Sequence, residues 1–380
     1  MLDPKEFYDF LNSLGINFFT GVPDSLLKSF CGFIADHSDN DHHVIAANEG
    51  GAIATGIGYH LATGNVPMIY MQNSGLGNAI NPLISLADRE VYSIPMLILI
   101  GWRGEPDFHD EPQHIKQGKI MLSMIESMKL SYKILTGNLD NDKEIVQLAK
   151  KEAVINNTPV FLVASKGLFK TYEFSNHEPF AHINNLPTRE NLIKEILQAL
   201  PTDTIVVSTT GMASREIYEI RDSNQVGHHL DFLTVGGMGH ASQIAFGLSL
   251  HAGKKNIVCI DGDGAALMHL GSMAINGQFA KENFKHILLN NSAHDSVGGQ
   301  PTVGSKIDFN NIANSLGYIS IEYQDNEISK LINKLINLKG PAFLELKSCL
   351  GSRKDLGRPS TTPQENKKQF MQNFKNKDFL

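Results

Sequence analysis

The sequence predicts an α/β chain of two doubly wound parallel-sheet domains, and three observations carry that expectation. Apolar, β-branched runs that stop on Gly, Asn or Asp alternate with helical patterns along all 380 residues, as parallel βαβ units require. A stretch of linker composition divides the chain near its middle. A weak internal repeat relates the two parts.

In the first part, strands are expected at about 17–20, 44–47, 66–72, 96–101, 132–135 and 160–164. In the second, they are expected at about 204–208, 256–261, 286–289, 318–323 and 342–347, with helical patterns at 188–200, 265–280 and 327–338. Residues 176–187 hold two prolines, three asparagines and two histidines without an apolar period, which is loop chemistry. The expected organisation is therefore a domain over 1–175, a linker over 176–187 and a second domain over 188–380. The repeat pairs 143–164 with 326–347: each runs through an amphipathic helix, a Thr158-Pro159 or Gly340-Pro341 break, and a buried strand. Two copies of one fold would each open a ligand crevice at their strand C-terminal ends.

Composition narrows the function classes. With 42% apolar and 19% charged residues the chain can bury sizeable cores, and 33 basic against 40 acidic residues leave −7, so no nucleic-acid partner is expected. The longest apolar run, 96–100, is far short of the ~20 residues that span a bilayer. Residues 1–6 suit an acidic helix start better than a signal peptide, so a cytoplasmic protein without membrane association is expected. Cys31, Cys259 and Cys349 form no C-x-x-C pair and suit packing in a reducing compartment. The pairs His42-His43 and His228-His229 lack metal-ligand spacing.

The chemistry concentrates in one spacing. A buried strand ends on Gly262-Asp263-Gly264, and a second buried strand ends 25 residues later on Asn290-Asn291. Adjacent parallel strands would bring Asp263 and Asn291 to one sheet edge. A carboxylate and a carboxamide are hard oxygen ligands suited to Mg²⁺. The glycines, with Ala265 opening a helix, let backbone approach a phosphate.

This pairing resembles the fingerprint of thiamin-diphosphate-dependent enzymes. The resemblance implies that Asp263, Asn291 and the backbone carbonyl of Ala293 hold Mg²⁺, which holds the cofactor diphosphate beside Gly262, Gly264 and Ala265. It also implies a pyrimidine-binding first domain that contributes one glutamate. Glu49 stands where strand 44–47 passes into a small-residue helix, with no charged neighbour within five residues, a poorly solvated setting suited to a protonated carboxyl. Hydrogen-bonded to the aminopyrimidine, it would promote proton removal from the thiazolium. In the segment 235–242, Gly236, Gly237 and Met238 match the family's pyrimidine-contacting turn, with Met238 propping the two rings into a bent form. A dinucleotide reading is poorer: Gly75-Leu76-Gly77, Gly237-Met238-Gly239 and Gly262-Asp263-Gly264 all lack the third glycine, and no P-loop occurs.

Most decarboxylases of this family carry a third, middle domain, for which 380 residues leave no room. The short architecture, with segments 21–25, 101–104, 110–114 and 353–359, is similar to the phosphonopyruvate and sulfopyruvate decarboxylase branch. That resemblance implies Mg²⁺-dependent, non-oxidative decarboxylation of 3-phosphonopyruvate to phosphonoacetaldehyde in phosphonate synthesis. Sulfopyruvate decarboxylation, carboligation, and non-catalytic cofactor binding by a regulatory subunit are the alternatives. A single chain carrying both halves is expected to favour the phosphonate. A dianionic oxo acid needs local cations, and Arg103, His109, His114, Lys116 and His294, with Ser25 as hydroxyl donor, are the candidates. His114 or His294 would return a proton after CO₂ leaves. Arg353 and Arg358 lie on a Gly/Pro-broken tail that either closes over the site or stays on the surface. The resemblance further implies a homodimer at minimum, with a dimer of dimers as an extension.

Overall fold

The computed structural model describes residues 1–175, 180, 183, 185–323 and 327–375. The chain divides into two compact units, Met1–Asn176 with Ser296–Gln300, and His177–Asp295 with Pro301–Leu380. Positions 176–179, 181, 182 and 184 of the expected linker lie outside the described residues.

The first unit is a six-stranded parallel sheet: β1 (Phe19–Gly21), β2 (His43–Ile45), β3 (Met68–Gln72), β4 (Met96–Gly101), β5 (Ser131–Ile134) and β6 (Pro159–Ala164), in spatial order β2-β1-β3-β4-β6-β5. Both faces are covered, so β4 and β6 are apolar throughout. In β4, Leu97 and Leu99 enter one core with Phe7, Phe30 and Leu162, while Ile98 and Ile100 enter a second core with Ile53, Ile69 and Met121. Each such fully buried side chain contributes about 1.5–3 kcal/mol of transfer free energy.

The second unit contains β7 (Ile205–Ser208), β8 (Asp231–Leu233), β9 (Ile257–Gly262), β10 (Phe284–Asn290), the two-residue strands β11 (Ala293–His294) and β12 (Gln300–Pro301), then β13 (Ile319–Ile321) and β14 (Ala342–Lys347). Its six-stranded parallel sheet runs β13-β14-β10-β9-β7-β8. Counted from its own first strand and read from the other edge, this is the order 2-1-3-4-6-5 of the first unit. The internal repeat falls on equivalent elements. Leu139–Asn156 precedes β6 and Ile328–Asn337 precedes β14, and each of those strands sits between the fourth and fifth of its sheet.

Two expectations need correcting. A single helix over 265–280 is in fact two, Asp263–Met268 and Leu270–Phe279, broken at His269, whose backbone is non-helical at φ −131°, ψ 47°. Strand β8 was not expected, because it has three residues and opens on a charge. Asp231 is tolerated there, fully buried, because the Arg221 guanidinium pairs with both its oxygens at 3.1 Å.

Candidate active site

Chemistry-bearing side chains gather at the strand C-terminal ends of each sheet, where parallel α/β topology leaves loops free to carry them. In the first unit, β2 leads into the helix Glu49–Thr63. Asn48 caps that helix, its side-chain oxygen accepting from the Gly51 amide at 2.8 Å, and Gly64 ends it in the left-handed region at φ +74°. Glu49 is therefore fixed at the junction, 5% exposed, with Asn78 Nδ2 donating to its Oε2 at 2.8 Å. A Cβ at Gly75 would strike the Glu49 carboxylate, so only glycine lets the turn after β3 close over this group.

The segments that follow β1 and β4 meet through side chains, across the strand β3 that separates them in the sheet. Arg103 follows β4 and is clasped by Asp110: Nε donates to Oδ2 at 2.7 Å and Nη2 donates to Oδ1. Its Nη1 donates to Ser25 Oγ at 2.6 Å, and its backbone exchanges hydrogen bonds with the Asn73 carboxamide at 2.7 and 3.2 Å. The glycines explain how the next helix comes so near. Gly104 sits at φ +69° where a side chain would meet the His114 carbonyl, and a Cβ at Gly118 would meet the Gly104 carbonyl. This backbone contact brings His114, 8% exposed, toward Arg103. Burial opposes ionisation of Asp110, yet the Arg103 hydrogen bonds and the Gly104 amide hold its carboxyl down to about 2. Burial, aided by the Arg103 charge, pushes His114 down to about 4. Ser25, Arg103 and His114 thus fall in one neighbourhood. His109 is exposed on the intervening loop, and Lys116 is exposed on the Pro112–Ser127 helix.

Sequence reasoning missed Asp24. This carboxyl follows β1, is fully buried, leaves Oδ1 without a partner, and accepts from the Leu26 amide at 3.0 Å through Oδ2. Burial pushes it up to about 6 against the pull of Arg103 and the local backbone amides. The segment 21–25 was noticed only as a motif, because the partner that matters lies at Arg103, far along the chain.

In the second unit, Asp263 follows β9 and is 2% exposed. Thr302 Oγ1 donates to its Oδ2, and the backbone amides of Asp263, Gly264 and Asn291 also act on the carboxyl, so the two expected metal ligands do meet. Burial nevertheless pushes Asp263 up to about 7. A nearby cation would relieve that cost. A Cβ at Gly304 would lie 2.8 Å from Asp263 Oδ2 and 2.7 Å from Asn290 Oδ1, so the loop opposite is glycine where an ion needs room. An oxygen donor set in a cradle closed by glycine fits Mg²⁺.

The turn after β10 divides its two asparagines by role. Asn290 is structural: Nδ2 donates to the Gly304 carbonyl at 2.9 Å and Glu345 Oε1 at 2.7 Å, and Oδ1 accepts from the Ser292 amide at 2.9 Å. Asn291 Oδ1 accepts from the Ala293 amide at 3.1 Å, and Ser292 between them is held at φ +54°. That turn fixes the Ala293 peptide beside Asn291. Met238 and His294 converge on the glycine triplet: a Cβ at Gly264 would lie 3.0 Å from the His294 ring and 3.3 Å from Met238 Cε. Gly237 and Gly239 both have positive φ, +66° and +84°, in the loop between β8 and the Ala241–His251 helix. Burial pushes His294 down to about 4. On the tail, Arg353 lies against Glu190 at 3.0 Å and also pairs with Glu219, which fastens it to the two helices after residue 188.

Comparison with known proteins agrees in both halves. Residues 5–124 match the N-terminal TPP binding domain of thiamine pyrophosphate enzymes, and residues 209–346 match the C-terminal TPP binding domain. The phosphonopyruvate decarboxylase of Streptomyces viridochromogenes is 31% identical over 375 residues, covering 95% of this chain and 92% of the relative. That of Streptomyces hygroscopicus is 30% identical over 385 residues, covering 97% and 93%. The sulfopyruvate decarboxylase of Methanosarcina acetivorans is 27% identical over 340 residues, covering 83% of each chain.

Proposed function

The chain belongs to the thiamine pyrophosphate enzymes as a 2-oxo acid decarboxylase, and from that premise we propose that it converts 3-phosphonopyruvate to phosphonoacetaldehyde and CO₂ with Mg²⁺ as the second cofactor. The observation that carries the substrate reading is near-complete alignment with two phosphonopyruvate decarboxylases at 30–31% identity. The Arg103 group adds guanidinium and hydroxyl donors for an anionic head, with the Arg103 charge already paired to Asp110.

In this reading Asp263, Asn291 Oδ1 and the Ala293 carbonyl hold the metal. The backbone at Gly262, Gly264 and Ala265 receives the diphosphate. Gly236, Gly237 and Met238 would receive the pyrimidine. When bound, thiamin diphosphate supplies a nucleophilic carbon and a cationic ring that accepts the electron pair released with CO₂. Glu49 would hold a proton at the pyrimidine ring, with Asn78 fixing one of its carboxyl oxygens. Arg103, oriented by Asp110 and Ser25, binds the second anionic head. At about 4, His114 and His294 are uncharged near neutral pH and act as hydrogen-bond partners there. Asp24, raised by burial to about 6, retains its proton to higher pH than an ordinary aspartate and is a candidate to return one after CO₂ departs. The working unit is a homodimer that combines the two half-sites across subunits.

Sulfopyruvate is the second reading, favoured by one observation. The Methanosarcina relative aligns over 83% of its length as a single chain, so possession of both halves in one polypeptide does not separate the two substrates as the sequence had suggested. Parallel kinetics on 3-phosphonopyruvate, sulfopyruvate and pyruvate, with product identification, test the proposal. It predicts the highest kcat/KM for phosphonopyruvate and free phosphonoacetaldehyde as product. Preference for sulfopyruvate, or a condensed product, would contradict it.

A further inference from the structure

Asn291 can ligate a metal through only one end of its carboxamide, because the oxygen has lone pairs to offer and the NH₂ has none. Resting on the metal reading above, we propose that Asp295, held by Arg189 and Glu216, is the positioning residue that sets which end faces the metal. Asn291 Nδ2 donates to Asp295 Oδ2 at 2.8 Å. Arg189 Nη1 donates to that same oxygen at 2.7 Å. Oδ2 is thereby committed as an acceptor, and only the NH₂ end of Asn291 can face it. The other end is fixed independently, since the Ala293 amide is a donor and requires Oδ1. Both constraints select one orientation, leaving the second lone pair of Oδ1 for a cation.

The device is anchored in the fold. Arg189 opens the Arg189–Ala199 helix and is clamped in a fork by Glu216, Nε to Oε2 at 2.8 Å and Nη2 to Oε1 at 2.9 Å. The Gly351 amide contacts the other Asp295 oxygen at 3.3 Å. Arg189 and Glu216 are 8% and 1% exposed, so the pair is shielded from competing water. Because Arg189 keeps Glu216 when Asp295 is changed, substitution at 295 leaves no guanidinium buried alone.

The test is Mn²⁺ affinity of the full-length protein with thiamin diphosphate, read from free Mn²⁺ by electron paramagnetic resonance, with the melting temperature of each cofactor-free variant recorded. Asp295→Asn, whose carboxamide oxygen the Arg189 guanidinium would select for the shared position, should stay within about threefold of wild type, whereas Asp295→Ala should weaken Mn²⁺ binding about 10–100-fold, the usual consequence of losing a group that orients a ligand. Its melting temperature should stay close to wild type. Wild-type affinity in Asp295→Ala, or an equal loss in Asp295→Asn, overturns the proposal. Asn291→Ala separates the two readings: if it binds Mn²⁺ as tightly as wild type, the metal assignment itself has failed.

Discussion

At the scale of the residue, Glu49 and Asp24 have different jobs that separate by experiment. Glu49 is proposed to touch the cofactor, so Glu49→Gln should lower kcat by about 10²–10⁴-fold, the range for removing a positioned proton-transfer group. Steady-state kinetics check this, and unchanged turnover in Glu49→Ala would revive the non-catalytic reading. Asp24 should announce itself in stability as well. Its folded carboxyl sits at about 6 against an ordinary 3.8, so folding favours the protonated form. That advantage is complete below about pH 4 and is lost as pH rises through about 6, a difference on the order of 3 kcal/mol. Urea unfolding at pH 4, 6 and 8 should show Asp24→Asn lacking this decline while losing activity. Neither partner relation was legible in sequence. Glu49 could be found from its isolation among uncharged residues, but the groups that matter to Asp24 and Asn291, Arg103 and Asp295 with Arg189, are specified only by the fold.

Individual elements show which sequence signals carry weight. Parallel strands buried on both faces favour apolar residues along their length, so β4 was bounded in sequence as it is in the structure, while β14, which carries Glu345 and Lys347, was bounded with the help of the Gly340-Pro341 break before it. The edge strand β8, three residues long and opening on a charge, gives no such signal and is recognisable only once Arg221 is seen to neutralise Asp231. The break at His269 likewise follows no proline; apolar residues continue on both sides of it. Close packing of loop on helix depends instead on glycine. Gly118→Ala would drive a methyl group into the Gly104 carbonyl, costing about 1–3 kcal/mol of stability and displacing His114 from Arg103. Calorimetry and KM should therefore change together in that variant. At the opposite end of the second sheet, Lys285 is fully buried and donates to the carbonyls of Glu282, Leu338 and Gly340 at 2.6, 2.7 and 3.0 Å. Lys285→Met should destabilise by about 3 kcal/mol, because those carbonyls lose a charged donor. It should leave cofactor affinity unchanged, since the site lies at the other strand ends.

For the whole molecule, two sheets of identical strand order explain why one family's two binding domains fit a single chain of 380 residues. Among the described residues no helix is long and apolar enough to cross a membrane. The fold class and the meeting of Asp263 with the turn at Asn291 were readable because buried strands and the Gly-Asp-Gly to Asn-Asn spacing are local. The choice between phosphonate and sulfonate was not, because both present an anionic head to the same kind of cation. Cofactor binding should stabilise the native state by about 2.7 kcal/mol at a hundredfold excess over Kd. The central claim is tested most directly by CO₂ release from 3-phosphonopyruvate after the protein has been stripped of metal and cofactor. Release should be absent in the stripped protein, return only when thiamin diphosphate and Mg²⁺ are both added, and fail to return in Asp263→Ala. Release that persists without either cofactor, or that never returns with both, would contradict the account.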